Sequence, residues 1–153
     1  MKPDFSDEYW MEFALHEAEI AFQDDEIPVG AVIVYKNEII ASSHNSTQKL
    51  NNPLAHAEKL VIEAAQKKIG KWLYGCKLFV TLEPCSMCAG IIILARIDAV
   101  IFGAFDEKSG TVGSLYNLLL DSRFNHNPEV KSGILAERSS RLLKNFFREK
   151  RRI

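Results

Sequence analysis

Pro84-Cys85-Ser86-Met87-Cys88 stands between an apolar strand-like run, Lys77 to Leu82, and a helical stretch that continues through Ala95. Two cysteines three apart at a helix N-terminus place both sulfurs on one side, where the helix dipole favours their thiolate forms. One βα crossover earlier, His56-Ala57-Glu58 starts another helix. A fold that brings these two helix entrances together assembles three zinc ligands, His56, Cys85 and Cys88, so the chain is constrained to set βα units side by side.

The remaining segments agree with that constraint. Ser6 is a good N-cap for an amphipathic helix carrying Trp10, Phe13, Ala14, Ala18, Ala21 and Phe22 and ending near Asp24-Asp25. Val29 to Tyr35 and a strand starting at Glu38-Ile39-Ile40-Ala41 read as an antiparallel hairpin turned by Lys36-Asn37. Residues 48–53 are turn-rich, and Ala57, Leu60, Val61, Ala64 and Ala65 then recur at helical spacing until Gly70. The strand Lys77 to Leu82 is followed by a short helix opened by Pro84, a fourth strand over Ala99 to Phe102 and a helical segment over Leu115 to Leu120. A last helix runs from about residue 135 to 152, with Leu142, Leu143, Phe146 and Phe147 as its apolar stripe. The expected architecture is α/β, a mixed sheet between helix layers in a single domain over residues 1–153.

At 47% hydrophobic and 25% charged residues, the 153-residue chain has an ordinary globular composition, which excludes disordered and low-complexity classes. The N-terminus lacks the apolar segment of a signal peptide, and the longest near-apolar run, Ala89 to Ala95, is too short to span a bilayer, so no membrane association and a cytoplasmic location are expected. In a reducing compartment the three cysteines favour metal or redox chemistry over a disulfide. The net charge of -1 hides a split: Arg138 to Ile153 carry seven basic residues and one acid, a balance of +6, against -7 for residues 1 to 137.

Three protein ligands leave a fourth zinc position for water, as in a catalytic site. Two thiolates cancel the charge of Zn²⁺, so that water needs a nearby base, and Glu58 fits the role. Residues two apart do not share a helix face, so the geometry requires a helix entrance, which Pro53 favours by holding the residue before it extended. The alternatives for Cys85 and Cys88 are inert core thiols or a thioredoxin-type redox pair, neither of which calls for the His-x-Glu. Cys76, His16, His44 and His126 have no paired motif and are assigned no role.

The complete H-x-E…P-C-x-x-C pattern resembles the signature of the zinc-dependent nucleobase deaminases. The longer strings Thr81-Leu82-Glu83-Pro84-Cys85-Ser86-Met87-Cys88-Ala89-Gly90, Gly103-Ala104-Phe105-Asp106-Glu107-Lys108-Ser109-Gly110, Gly113-Ser114-Leu115 and Phe146-Phe147-Arg148 are similar to the bacterial tRNA-specific adenosine deaminase family. With Glu26-Ile27-Pro28-Val29-Gly30 the resemblance covers nearly the whole chain.

The resemblance implies a cytidine-deaminase-like three-layer α/β/α sandwich with a mixed five-stranded sheet, a homodimer, and one Zn²⁺ per subunit. It implies a hydrolase that converts adenosine to inosine at the wobble position of a tRNA anticodon, typically the arginine tRNA reading ACG, using zinc-activated water with Glu58 as proton shuttle. Asn45 would hydrogen-bond the flipped base and Asp106 would lie near the nucleotide backbone, with Lys108, Phe147 and Arg148 as further candidate contacts to the anticodon stem-loop. After Asn125-His126 the family usually has a basic residue where this chain has Asn127-Pro128, so no contact is carried over there. Two other functions share parts of the pattern: a deaminase of a free base or nucleotide such as guanine or cytosine, and a non-catalytic zinc- or RNA-binding subunit. The basic C-terminal segment either lies along RNA or faces residues 1–26, which carry nine acids against Lys2 alone.

Overall fold

The structure, a computed structural model, describes residues 5–151. The Ser6 hydroxyl oxygen accepts a hydrogen bond from the Tyr9 amide at 3.1 Å and so caps α1 (Asp7–Gln23). The hairpin of β1 (Gly30–Tyr35) and β2 (Glu38–His44) turns at Lys36 and Asn37, whose φ angles of 50° and 62° give the tight two-residue turn that matches strand twist. Then follow α2 (Ala57–Ile69), β3 (Cys76–Leu82), α3 (Ser86–Ala95), β4 (Ala99–Ala104), β5 (Glu129–Lys131) and α4 (Ala136–Arg151).

The five strands form one mixed sheet in the order β2-β1-β3-β4-β5. β1 is antiparallel to both its neighbours, while β3, β4 and β5 run parallel. The central strands are buried on both faces, which is why they read as continuous apolar runs rather than alternating ones. Alternation instead sorts residues between two cores. Ala31, Ile33, Leu78, Val80, Val100 and Phe102 pack with Val61, Ile62, Ala89 and Ile92 of α2 and α3. Val32, Val34, Phe79, Ala99 and Ile101 pack with Trp10, Met11, Ala14 and Leu15 of α1. Each fully buried large side chain among them contributes about 1.5–3 kcal/mol.

The layer of α1 approaches β1 closely enough to require glycine. A Cβ on Gly30 would lie 2.0 Å from the Ala14 carbonyl oxygen and 2.5 Å from the Ala18 nitrogen. α4 joins α1 through Phe146, whose ring centroid is 5.8 Å from that of Phe22, and through the ion pair Arg138–Glu12.

Three sequence expectations are corrected. Leu115 to Leu120 is not a helix beyond a single 3₁₀ turn at Leu118–Leu120, because the amides of Leu115 and Leu118 donate back to the carbonyls of Gly110 and Thr111. Pro84 does not open α3: its carbonyl is held by Thr111, and Cys85 is the extended N-cap. On α1, Phe13 points outward at 41% exposure while Met11 and Leu15 are buried. The last helix starts where it is expected, α4 beginning at Ala136 after Leu135 takes a positive φ of 53°, and its expected end at residue 152 lies outside the described residues. The three-residue β5 was too short to show a pattern of its own.

Candidate active site

α2 and α3 lie side by side on one face of the sheet, so their N-termini meet. His56 and Cys85 are the N-cap residues, with extended backbones at φ -76° ψ 150° and φ -77° ψ 177°. Neither caps its own helix with its side chain, which leaves the imidazole and the sulfur to face each other. His56 Nδ1 lies 3.6 Å from Cys85 Sγ and 3.6 Å from Cys88 Sγ, and the three ligand atoms are all within 4.8 Å of one another. A tetrahedral zinc ion with ordinary bond lengths spaces its nitrogen and sulfur ligands about 3.6 Å apart. One borderline nitrogen and two soft sulfurs at that spacing fit zinc in type and in geometry.

The electrostatics separate the two cysteines. The Cys85 thiol is drawn down to about 4, chiefly by its hydrogen bond with Cys88 and then by His56, against the effect of burial. Cys88, fully buried, is pushed up by its hydrogen bond with Cys85 and by desolvation. The Cys85 sulfur in turn raises the His56 imidazole. Glu58, in the first turn of α2, is 4% exposed, and burial lifts its carboxyl to about 7. A carboxyl poised near neutrality beside a metal-ligand cluster can both take and return a proton.

The other candidates are less closely gathered. Asn45 is buried just beyond β2, its Nδ2 donating to the Ile27 carbonyl at 3.3 Å while its Oδ1 has no hydrogen-bond partner among the described residues. Asp106 Oδ1 accepts from the amides of Lys108 and Ser109, each at 3.2 Å, so the carboxylate caps its own loop and the Lys108 side chain stands exposed. Phe147 and Arg148 are exposed on α4, whereas Phe146 is buried. Phe147 lines an open groove of about 820 Å³ with Phe146, Lys150, Asp25, Lys49 and Ile27. Ile27 connects this groove to Asn45. Cys76 is a buried thiol raised to about 11 by desolvation, and His44 reaches Glu17 at 3.3 Å, consistent with structural roles.

Two buried carboxylates escaped the sequence reading. Glu26 accepts from the amides of Gln48 at 2.9 Å and Lys49 at 2.7 Å, fixing the loop that leads to His56. Glu83 sits directly before the Pro84-Cys85 turn. Burial would raise its carboxyl, but hydrogen bonds from Ser114, Asp106 and Val112 hold it below the usual carboxylate range. The cue in the sequence was slight, an acid set against the end of an apolar segment.

The MafB19-like deaminase family matches residues 5–151. The tRNA-specific adenosine deaminase of Bacillus subtilis (strain 168) is 50% identical over 147 residues, 95% of this chain and 91% of that protein. That of Aquifex aeolicus (strain VF5) is 46% identical over 145 residues, 94% of this chain and 95% of its own length. A solved structure from studies of A-to-I editing by tRNA:A34 deaminases at the wobble position of transfer RNA superposes with a TM-score of 0.85 at 43% identity, covering 88% of this chain and 99% of that one.

Proposed function

Because this chain belongs to the family of tRNA-specific adenosine deaminases, we propose that it converts adenosine to inosine by hydrolysis at the wobble position of a tRNA anticodon, with the arginine tRNA reading ACG as substrate. The reading is supported above all by the buried Glu58 carboxyl, set at the α2 entrance two residues after His56, where the N-terminus of α3 brings Cys85 and Cys88 against it.

His56 Nδ1 and the two sulfurs would hold one zinc ion per subunit, which would supply Lewis-acid activation of water. Glu58 accepts one proton from the water that adds to C6 and passes it to a ring nitrogen of adenine; as the C6–N bond breaks it takes the remaining proton of the added hydroxyl and delivers it to the departing ammonia. Its desolvated carboxyl, near 7, suits both directions of transfer. Asn45, with a buried acceptor oxygen otherwise unused, meets the flipped base by hydrogen bonding. Asp106 and Lys108 border the nucleotide backbone, and Phe147 and Arg148 line the path of the RNA strand from α4.

The chain acts as a single deaminase domain and pairs as a homodimer. The exposed apolar side chains Leu94, Leu115, Tyr116 and Leu120, on α3 and the adjoining 115–120 segment, support association of that kind. Light scattering is expected to give twice the 17.3 kDa chain mass. No helix among the described residues is long and apolar enough to cross a membrane, and a tRNA substrate suits a cytoplasmic location.

Incubating the zinc-loaded protein with an ACG anticodon stem-loop and mapping inosine at the first anticodon position tests the assignment. Deamination confined to free guanine or cytosine in a parallel panel, or RNA binding with no turnover of any base, overturns it.

A further inference from the structure

Residues 105–114 leave β4 and fold back beside the Pro84-Cys85 turn, and they do so around one carboxylate. Glu83 is 2% exposed. Its Oε1 accepts from the Asp106 amide at 2.9 Å and from the Ser114 hydroxyl; its Oε2 accepts from the amides of Val112 at 2.8 Å and Ser114 at 3.0 Å. Gly110 makes room for it: a Cβ there would stand 2.3 Å from both Cδ and Oε1 of Glu83. The same loop is tied to the metal-ligand turn by a second route, the Thr111 amide and hydroxyl donating to the Pro84 carbonyl at 3.0 Å and 3.3 Å.

These partners belong to one loop, not to the strands or helices of the core. Without Glu83 the amides of Asp106, Val112 and Ser114 lose this acceptor, and that of Val112 is on a buried residue. A charged acceptor makes such bonds stronger and better defined than a neutral one. The held segment includes Asp106 and Lys108 and is bonded to the Pro84 carbonyl, one residue before Cys85, which puts this loop beside the turn that carries the His56-Cys85-Cys88 cluster.

We propose that Glu83 is a positioning residue for substrate RNA: its hydrogen bonds to Asp106, Val112 and Ser114 fix loop 105–114 beside Cys85 as a rigid rim against which the nucleotide strand is held. The inference rests on the tRNA deaminase reading above. Glu83 touches neither substrate nor reacting water. Its effect passes through the loop.

The test is steady-state inosine formation on the ACG stem-loop by wild type, Glu83→Gln, Ser114→Ala and Ser114→Thr, with zinc content and Tm measured on each. Glu83→Gln keeps the side-chain size but turns an NH₂ group toward amide donors. It is expected to keep zinc and to raise KM about tenfold, with kcat per bound zinc falling much less. Ser114→Ala, which removes one donor, shifts KM the same way by about threefold, and Ser114→Thr restores it. A purely structural Glu83 would lower Tm and the zinc-loaded fraction while leaving KM at the wild-type value, and that result overturns the proposal. Should Glu83→Gln not fold, the Ser114 pair decides on the same criterion. If wild type forms no inosine, the functional reading fails and this inference falls with it; an unmoved KM in active variants defeats the inference alone.

Discussion

His56 Nδ1 and Cys88 Sγ lie 3.6 Å apart although 32 residues separate them in the chain. Two packed helices with adjacent N-termini hold them there, and Cys85 closes the triangle. Three ligands placed by the folded core and a divalent ion that binds only the folded chain are thermodynamically linked. Chelation is therefore expected to lower Tm, and stoichiometric zinc to restore it; a site filled to a thousand times its Kd adds about 4 kcal/mol. Cys88→Ala should purify without zinc and show no chelator effect. A chelator-insensitive wild type would contradict the metal assignment.

Glu58→Gln preserves the shape of the buried side chain and removes its proton-accepting function. Because Glu58 is not among the ligand atoms of the cluster, zinc content should stay at one per chain while inosine formation falls by about 10²–10⁴-fold. Single-turnover rates on the stem-loop, normalised to zinc, measure this. Wild-type turnover in the variant would refute the proton-shuttle role.

Gly30→Ala carries the opposite kind of prediction, one about the fold alone. The added methyl would fall 2.0 Å from a backbone oxygen of α1, which no rotamer change relieves. Either α1 moves off β1 and opens the core around Trp10 and Ala14, or β1 shifts away from Thr81, whose hydroxyl accepts from the Gly30 amide at 3.2 Å. Urea unfolding should register a loss of about 3 kcal/mol, the upper end of the usual cost of overpacking. A stability equal to wild type would mean that α1 sits farther from β1 than the structure has it.

The clustering of His56, Cys85 and Cys88 was legible in the sequence because it depends on residue type and spacing, and both survive folding unchanged. Hairpin and βα units were legible for a similar reason: Lys36-Asn37, Gly70 and the apolar runs act locally. What escaped reading depends on partners far along the chain. Glu83 draws its donors from residues 106 to 114, and Leu115 to Leu120 forms only one 3₁₀ turn because the amides of Leu115 and Leu118 are taken by Gly110 and Thr111. Phe146 and Phe147 show the same limit within one motif. Both suit a helix stripe, yet packing against Phe22 turns one inward and leaves the other 42% exposed.

The basic C-terminal segment combines the two readings the sequence offered. Arg138 pairs with Glu12 and Lys150 with Asp25, so part of its charge meets the acidic first helix and the residue that follows it closely. Arg141, Lys144, Arg148 and Arg151 are exposed, and among the described residues no ion pair is found for them. Surface pairs are worth little in stability but do occupy a charge that RNA would otherwise neutralise. Arg148→Ala is expected to weaken stem-loop binding and to reduce the slope of log K against log salt by about 0.7, the share of one single-strand phosphate contact. Arg138→Ala, already compensated by Glu12, should change the slope by less than half as much. Fluorescence anisotropy across a salt series compares the two directly, and equal slopes for both variants would place the RNA path away from Arg148.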